Sequence, residues 1–349
     1  MAAVFKAQVL ERGTELLSFL QGFLAAHPGA RDARLAYARA LVAEKRYAES
    51  RAEFRTLQEV FPDNGDIHYA IGILSLQLDD PRQAEVHLNR FLEIGGNEAN
   101  AARFYLGQIA EDDKRYDEAL RRFDQVDGGE HHTAALLRGA QILTRQGRVD
   151  EARQRLARAR GLLPQEAPRL YIAESQLLKD AGRNEEAYTV LQGALAKQPD
   201  QTDLLYEAAL AVERLDRLAD AERYLRRLIA LKPDSAQGYN ALGYSLADRG
   251  LRLDEALQLI DKALSLAPDD PFILDSKGWV LFRLGRLAEA LEHLQRAYAQ
   301  RRDPEIAAHI GEVLWAMGRR DDAATVWREA SQAFPANAVL SATIKRFVP

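Results

Sequence analysis

Residues 254–286 read DEALQLIDKALSLAPDDPFILDSKGWVLFRLGR. A small residue, Ala256, is followed four places on by the large apolar Ile260 and twelve places on by Pro268. A second small residue, Gly278, and a turn glycine, Gly285, complete the series, and LAEAL from Leu287 begins it again. Working outward, the first small column runs through Ser50, Ala84, Ala119, Ala152, Ala187, Ala221, Ala256, Ala290 and Ala323, with gaps of 33 to 35 residues. The second, 12 or 13 residues earlier, runs through Ala38, Gly72, Gly107, Ala140, Ser175, Ala209, Gly243, Gly278 and Gly311. A bulky residue follows each member of the first column: Phe54, Leu88, Phe123, Leu156, Leu191, Leu225, Ile260, Leu294 and Trp327. Proline recurs at Pro62, Pro164, Pro199, Pro233, Pro268 and Pro335. A fixed period of this length is the mark of stacked repeats.

Each unit reads as two helices, A and B, at 3.6-residue periodicity, joined by a short turn that holds Gly147, Gly182, Gly285 or Gly318. The small residues are expected to oppose each other so that A and B approach closely, with the bulky residue filling the space toward the next unit. Proline ends helix B because it lacks an amide donor and clashes with the preceding turn. One pair cannot bury its apolar stripe alone, so the units must stack. Composition agrees: 58 Ala, 22 Gly and 10 Ser make about a quarter of the 349 residues small, and only 12 are proline.

This 34-residue helix-turn-helix pattern resembles the tetratricopeptide repeat over residues 31–335. The resemblance implies an all-α fold, a right-handed α-solenoid of nine helix pairs. Residues 1–30 read as a degenerate pair (Phe5–Leu10 and Thr14–Ala26), and residues 336–349 as a capping helix built on Val339, Leu340, Ile344 and Phe347. Gly96, His131 and Arg302 depart from the proline column, and Ser175 from the Gly/Ala column.

Several chemistries find little support. With 47 Lys+Arg against 52 Asp+Glu the net charge is −5, which does not suit a nucleic-acid or anionic-membrane surface. No cysteine is present, which excludes disulfides, thiolate metal sites and a cysteine nucleophile. The seven histidines are scattered, and the His131–His132 pair reads as a solvated polar turn. Glu111–Asp112–Asp113 and Asp321–Asp322 fall at turns and helix starts, where they favour the helix dipole. Arginines such as Arg153, Arg155, Arg158 and Arg160 are interleaved with acids. No catalytic residue, metal or cofactor is expected, and the expected partners are proteins.

In the resembled family the partner-facing positions are the second, fifth, ninth, twelfth and thirteenth of each unit. Repeats 3 to 6 then offer a polar set: Gln108, Glu111, Gln141, Arg145, Gln176, Lys179, Glu213 and Arg214. Repeats 7 to 9 offer an aromatic set: Asn240, Tyr244, Asp248, Phe272, Asp275, Trp279, Phe282, Arg283, Glu312 and Trp315. Aromatics on an accessible groove are good anchors, because each buries a large area with few rotamers to freeze. The fifth positions hold no lysine, which argues against a receptor that clamps a terminal carboxylate.

Residues 235–335 carry a narrower resemblance, through GYNALGYSLADRG from Gly238, the opening stretch, and DPEIAAHIGEVLWAMGRRDDAATVWREA from Asp303. They are similar to proteobacterial tetratricopeptide outer-membrane lipoproteins facing the periplasm. The resemblance implies an adaptor that brings cell-wall hydrolases to a carboxyl-terminal processing protease, with an envelope-machine assembly factor, for a pilus or secretion system, as the alternative. Such proteins begin with a signal and a lipidated cysteine. This sequence shows neither, so the expectation is a truncated mature portion or a soluble relative, held at a membrane only through an anchor not in the sequence.

Overall fold

The structure is a computed structural model and describes residues 13–348. Every regular element among the described residues is helical, apart from one 3-10 turn at Pro164–Glu166. The first helix of the expected N-terminal pair, Phe5–Leu10, lies outside the described residues.

Two compact units divide the chain after Leu177. The first begins with α1 (Gly13–Ala26), followed by the pairs α2 (Arg31–Ala43) with α3 (Tyr47–Val60) and α4 (Gly65–Gln77) with α5 (Pro81–Ile94). Next come α6 (Ala99–Asp112) with α7 (Tyr116–Asp124) and α8 (His132–Arg145) with α9 (Val149–Leu162). α10 (Ala167–Asp180) contains the boundary. The second unit continues with α11 (Asn184–Lys197), then α12 (Thr202–Glu213) with α13 (Leu218–Leu231) and α14 (Ala236–Asp248) with α15 (Leu253–Leu266). It ends with α16 (Pro271–Arg283) on α17 (Leu287–Gln300), α18 (Pro304–Ala316) on α19 (Arg320–Ala333), and α20 (Ala338–Phe347).

The small columns do what their chemistry predicts. A Cβ built on Gly278 would stand 2.5 Å from Leu294 and 3.0 Å from the carbonyl of Ala290, so only glycine lets α16 lie this close to α17. The bulky column fills the space toward the next unit, as Leu88 does in the cluster with Ala102, Leu106 and Ile109 and Ile260 in that with Ile273 and Val280, and Leu88, Phe123, Ile260, Leu294 and Trp327 also cover the A-helix glycine of their own pair. Their side chains lean back along helix B toward its N-terminus, over the preceding turn where the two helices are closest.

All nine A–B turns contain a residue in the left-handed region. It is Gly at 147, 182, 250, 285 and 318, but Lys45, Asp79, Lys114 and Asp216 elsewhere. The turn closes with two backbone bonds onto the end of helix A, as where Arg46 N–H donates to the Leu41 carbonyl at 2.8 Å. The geometry is thus set by these bonds even where the side chain disfavours it.

His131 is not the solvated residue expected. It is half-buried beside the start of α8, with its ring stacked on Phe104 at 4.6 Å between centroids. Flatness and an apolar face make imidazole a good partner for an aromatic ring.

Candidate partner-binding site

In the second unit, helices α14, α16 and α18 carry the expected aromatic set on consecutive A helices. Asp275 and His309, 34 residues apart, meet through His309 Nδ1 and Asp275 Oδ1 at 2.9 Å, both side chains buried. The Trp279 indole stacks on the His309 ring at 4.2 Å, and Tyr244 lies 6.5 Å from it. Burial alone would depress the His309 pKa, but the Asp275 charge and hydrogen bond outweigh it, and the net shift is upward. Burial also raises the Tyr244 phenol. The result is an imidazole held between a carboxylate, which favours its protonated form, and an indole face.

Two polar atoms here have no partner: Trp279 Nε1–H and Asn240 Oδ1, both buried from solvent. They are one donor and one acceptor at the ninth and fifth positions of neighbouring repeats. An unmet buried hydrogen-bonding group costs about 1–3 kcal/mol.

The other expected residues divide. Phe282 packs on Trp279 at 5.2 Å, and Arg283 sits over the same indole at 5.9 Å while donating to the backbone carbonyl of Asp248, whose side chain is exposed. Phe272 is 46% exposed beneath the guanidinium of Arg301. Glu312 and Trp315 are not free groove positions. The chain's own α20 engages them, with Arg346 2.5 Å from Glu312 and Phe347 against Trp315 at 5.6 Å. The amphipathic end helix places its basic and aromatic side chains over the last apolar edge, and Glu312, its carboxyl raised by burial, needs the cation.

The polar set forms no row of free groups in either unit. Glu111 is buried between Arg138 at 2.9 Å and Arg145 at 3.2 Å, Lys179 pairs with Glu207 at 2.9 Å, and Glu213 pairs with Arg249 at 3.1 Å. Charged groups one repeat apart come within reach of each other and neutralise in place. Gln141, Gln176 and Arg214 are exposed, and Gln108 is half-buried.

Sequence reasoning missed His309, which stands at the sixth rather than a partner-facing position, although its spacing of one period from Asp275 was a usable signal. It also missed the buried pair His68–His87, whose Nδ1 atoms are 3.0 Å apart. No group of three or more His, Asp or Glu able to hold a metal occurs among the described residues. No helix among them is long and apolar enough to cross a membrane.

Models of the tetratricopeptide repeat match residues 110–177 and 178–243, and a second set matches 19–67, 69–130 and 276–307. The TPR repeat-containing protein PA4667 of Pseudomonas aeruginosa is 44% identical over 213 residues, covering 61% of this chain and 36% of that protein. The chain spans between 17% and 36% of the length of the curated relatives it matches. Among solved structures, a tetratricopeptide repeat protein from Parabacteroides merdae is 16% identical with a TM-score of 0.56, covering 71% of this chain and 98% of that one. The protein TTC0263 of Thermus thermophilus is 25% identical with a TM-score of 0.47, covering 50% of this chain and 96% of that one.

Proposed function

The chain belongs to the tetratricopeptide repeat proteins, whose repeats are protein-interaction scaffolds, and from that premise we propose that it is a non-enzymatic adaptor capturing a protein partner on the A-helix face of its second unit. One observation carries this reading: Tyr244, Phe272 and Phe282 present part-exposed rings on neighbouring A helices around the buried Trp279. An aromatic surface spread over two neighbouring repeats suits a polypeptide better than a small polar substrate.

The partner we propose is a periplasmic carboxyl-terminal processing protease, its cell-wall hydrolase substrate, or both, and the proposed location is the periplasmic side of the outer membrane. Support comes from the resemblance of residues 235–335 to lipoprotein adaptors of that kind. Holding protease and substrate together raises their effective concentration without new chemistry.

The test is cleavage of a cell-wall hydrolase by the protease with and without this protein. Faster cleavage is expected, with none from this protein alone, and it is expected to fall in Tyr244→Ala/Trp279→Ala. Since Trp279 is buried, the exposed-residue variant Phe272→Ser/Asp248→Lys, with helicity checked by circular dichroism, separates a lost site from a lost fold. An unchanged cleavage rate on adding the intact protein rejects the protease assignment.

A further inference from the structure

Helix α20 rests on α18 and α19 with its far side in solvent, where Val339, Ala342, Lys345 and Val348 are exposed. The two residues it buries are Leu340 and Thr343, whereas α18 buries nine. Lys345 stands 34 residues after Gly311, in the column where the nine A helices have Gly, Ala or Ser. A long charged side chain there bars the close approach that a further helix would need.

The contacts that fasten its last turn lie at the edge of the water. Arg346 pairs with Glu312 at 2.5 Å, but the arginine side chain is 60% exposed, so solvent screens the pair. Phe347 is half-buried, 5.6 Å from Trp315 and 5.4 Å from Trp327. A helix with so few buried contacts belongs to the low-stability end of a fold and opens locally while the rest stays intact.

Glu312 and Trp315 occupy the ninth and twelfth positions of the last repeat, as Trp279 and Phe282 do one repeat earlier. Phe282 and Trp315 flank one apolar cluster together with Ile344 and Phe347 of α20. The helix therefore covers the continuation of the aromatic surface on which the partner is captured.

We propose that α20 is an autoinhibitory strap, which holds Glu312 and Trp315 closed and gives way to a partner that extends onto the last repeat. Opening adds a carboxylate and an indole to the site. The observed affinity is then that of the open form multiplied by the fraction of molecules that are open. The inference rests on the second-unit site proposed above and concerns its regulation.

The test uses the full chain. Hydrogen exchange should find the α20 amides opening about a hundredfold or more often than those of α18. Equal protection of the two helices makes α20 a fixed cap and overturns the proposal. A fluorescein-labelled peptide of residues 336–348, followed by anisotropy, should bind Arg346→Glu/Phe347→Ser about tenfold more tightly than the parent, whose own strap holds the place. Equal binding to the two, or binding to neither, overturns it. Adding Glu312→Lys to that variant should lose this peptide and gain the peptide with Arg346→Glu, an exchange that a folding defect would not produce. Undiminished binding of the original peptide by the triple variant places the peptide elsewhere and overturns the proposal.

In the cleavage assay Arg346→Glu/Phe347→Ser should reach half-maximal stimulation at a concentration a few-fold lower than the parent. Equal stimulation by the two overturns the strap and leaves the capture site standing. Absence of stimulation by either rejects the protease assignment, and exchange and peptide binding then decide the strap alone.

Discussion

His68 and His87 share one proton between buried rings. The carbonyl of Pro62 accepts from His68 Nε2–H at 2.9 Å, so in the neutral pair His68 Nδ1 must accept from His87 Nδ1–H, 3.0 Å away. Burial, followed by His68 and the cations Arg55 and Arg51, pushes the His87 pKa down to about 4.

An unfolded histidine titrates near 6.5, so between roughly pH 6.5 and 4 the unfolded chain binds a proton that the folded one refuses. Stability from this site is full above 6.5 and is lost as pH falls through that window, by about 3 kcal/mol. Thermal melts from pH 7 to 4 should show the loss, and His87→Gln should flatten it. A His87→Gln profile parallel to the parent's would refute this.

The second unit responds in the opposite sense. With its folded pKa raised, His309 contributes stability fully present below about pH 6.5 and lost as pH rises through the elevated folded value. In Asp275→Asn the carboxylate is gone and burial dominates, so the His309 titration followed by NMR should drop below its unperturbed value. The variant should also be destabilised by about 3 kcal/mol, the order found on breaking a buried pair. A titration that stays elevated would mean another acid, Glu312 or Glu305, holds the proton.

Five A–B turns force a left-handed conformation on a side chain, at Lys45, Asp79, Lys114, Asp216 and, beside Gly250, Arg252. Lys45 at φ 58° and Lys114 at φ 60° carry no local compensation of the Asp/Asn kind. Lys45→Gly and Lys114→Gly should each stabilise by about 0.5 kcal/mol, the relieved strain slightly exceeding the added unfolded-chain entropy. Gly285→Ala, at φ 77°, should destabilise by about 1 kcal/mol. Urea denaturation midpoints measure all three, and midpoints lower for the lysine replacements than for the parent would contradict the account.

Gly311 is the tightest of the close approaches, since a Cβ there would lie 2.0 Å from Trp327 Nε1. Gly311→Ala should therefore cost about 1–3 kcal/mol by overpacking. Trp327→Leu removes the clash and leaves a gap, so the double variant should be more stable than the two single losses combined would allow. Strict additivity would show that the two residues do not compete for one space.

Helix pairs were legible because their causes are local and repeated. Gly278 opposite Ala290 and Leu294 is a statement about one helical hairpin, and its spacing recurs down the chain. Trp279 and Tyr244 were legible as site candidates through the repeat position they occupy. His309 was not, because its role arises from Asp275 on a neighbouring A helix rather than from its own position.

The amino-acid order by itself determined the period, the helical pairs and the columns where backbones touch, since these follow from 3.6-residue periodicity and side-chain volume. Only the tertiary structure decided which charges are spent. Whether Glu111 meets Arg138, Glu213 meets Arg249 or Glu312 meets Arg346 depends on the angular register between neighbouring helices. That register is set by the packing of many side chains at once, and no single stretch of sequence contains it.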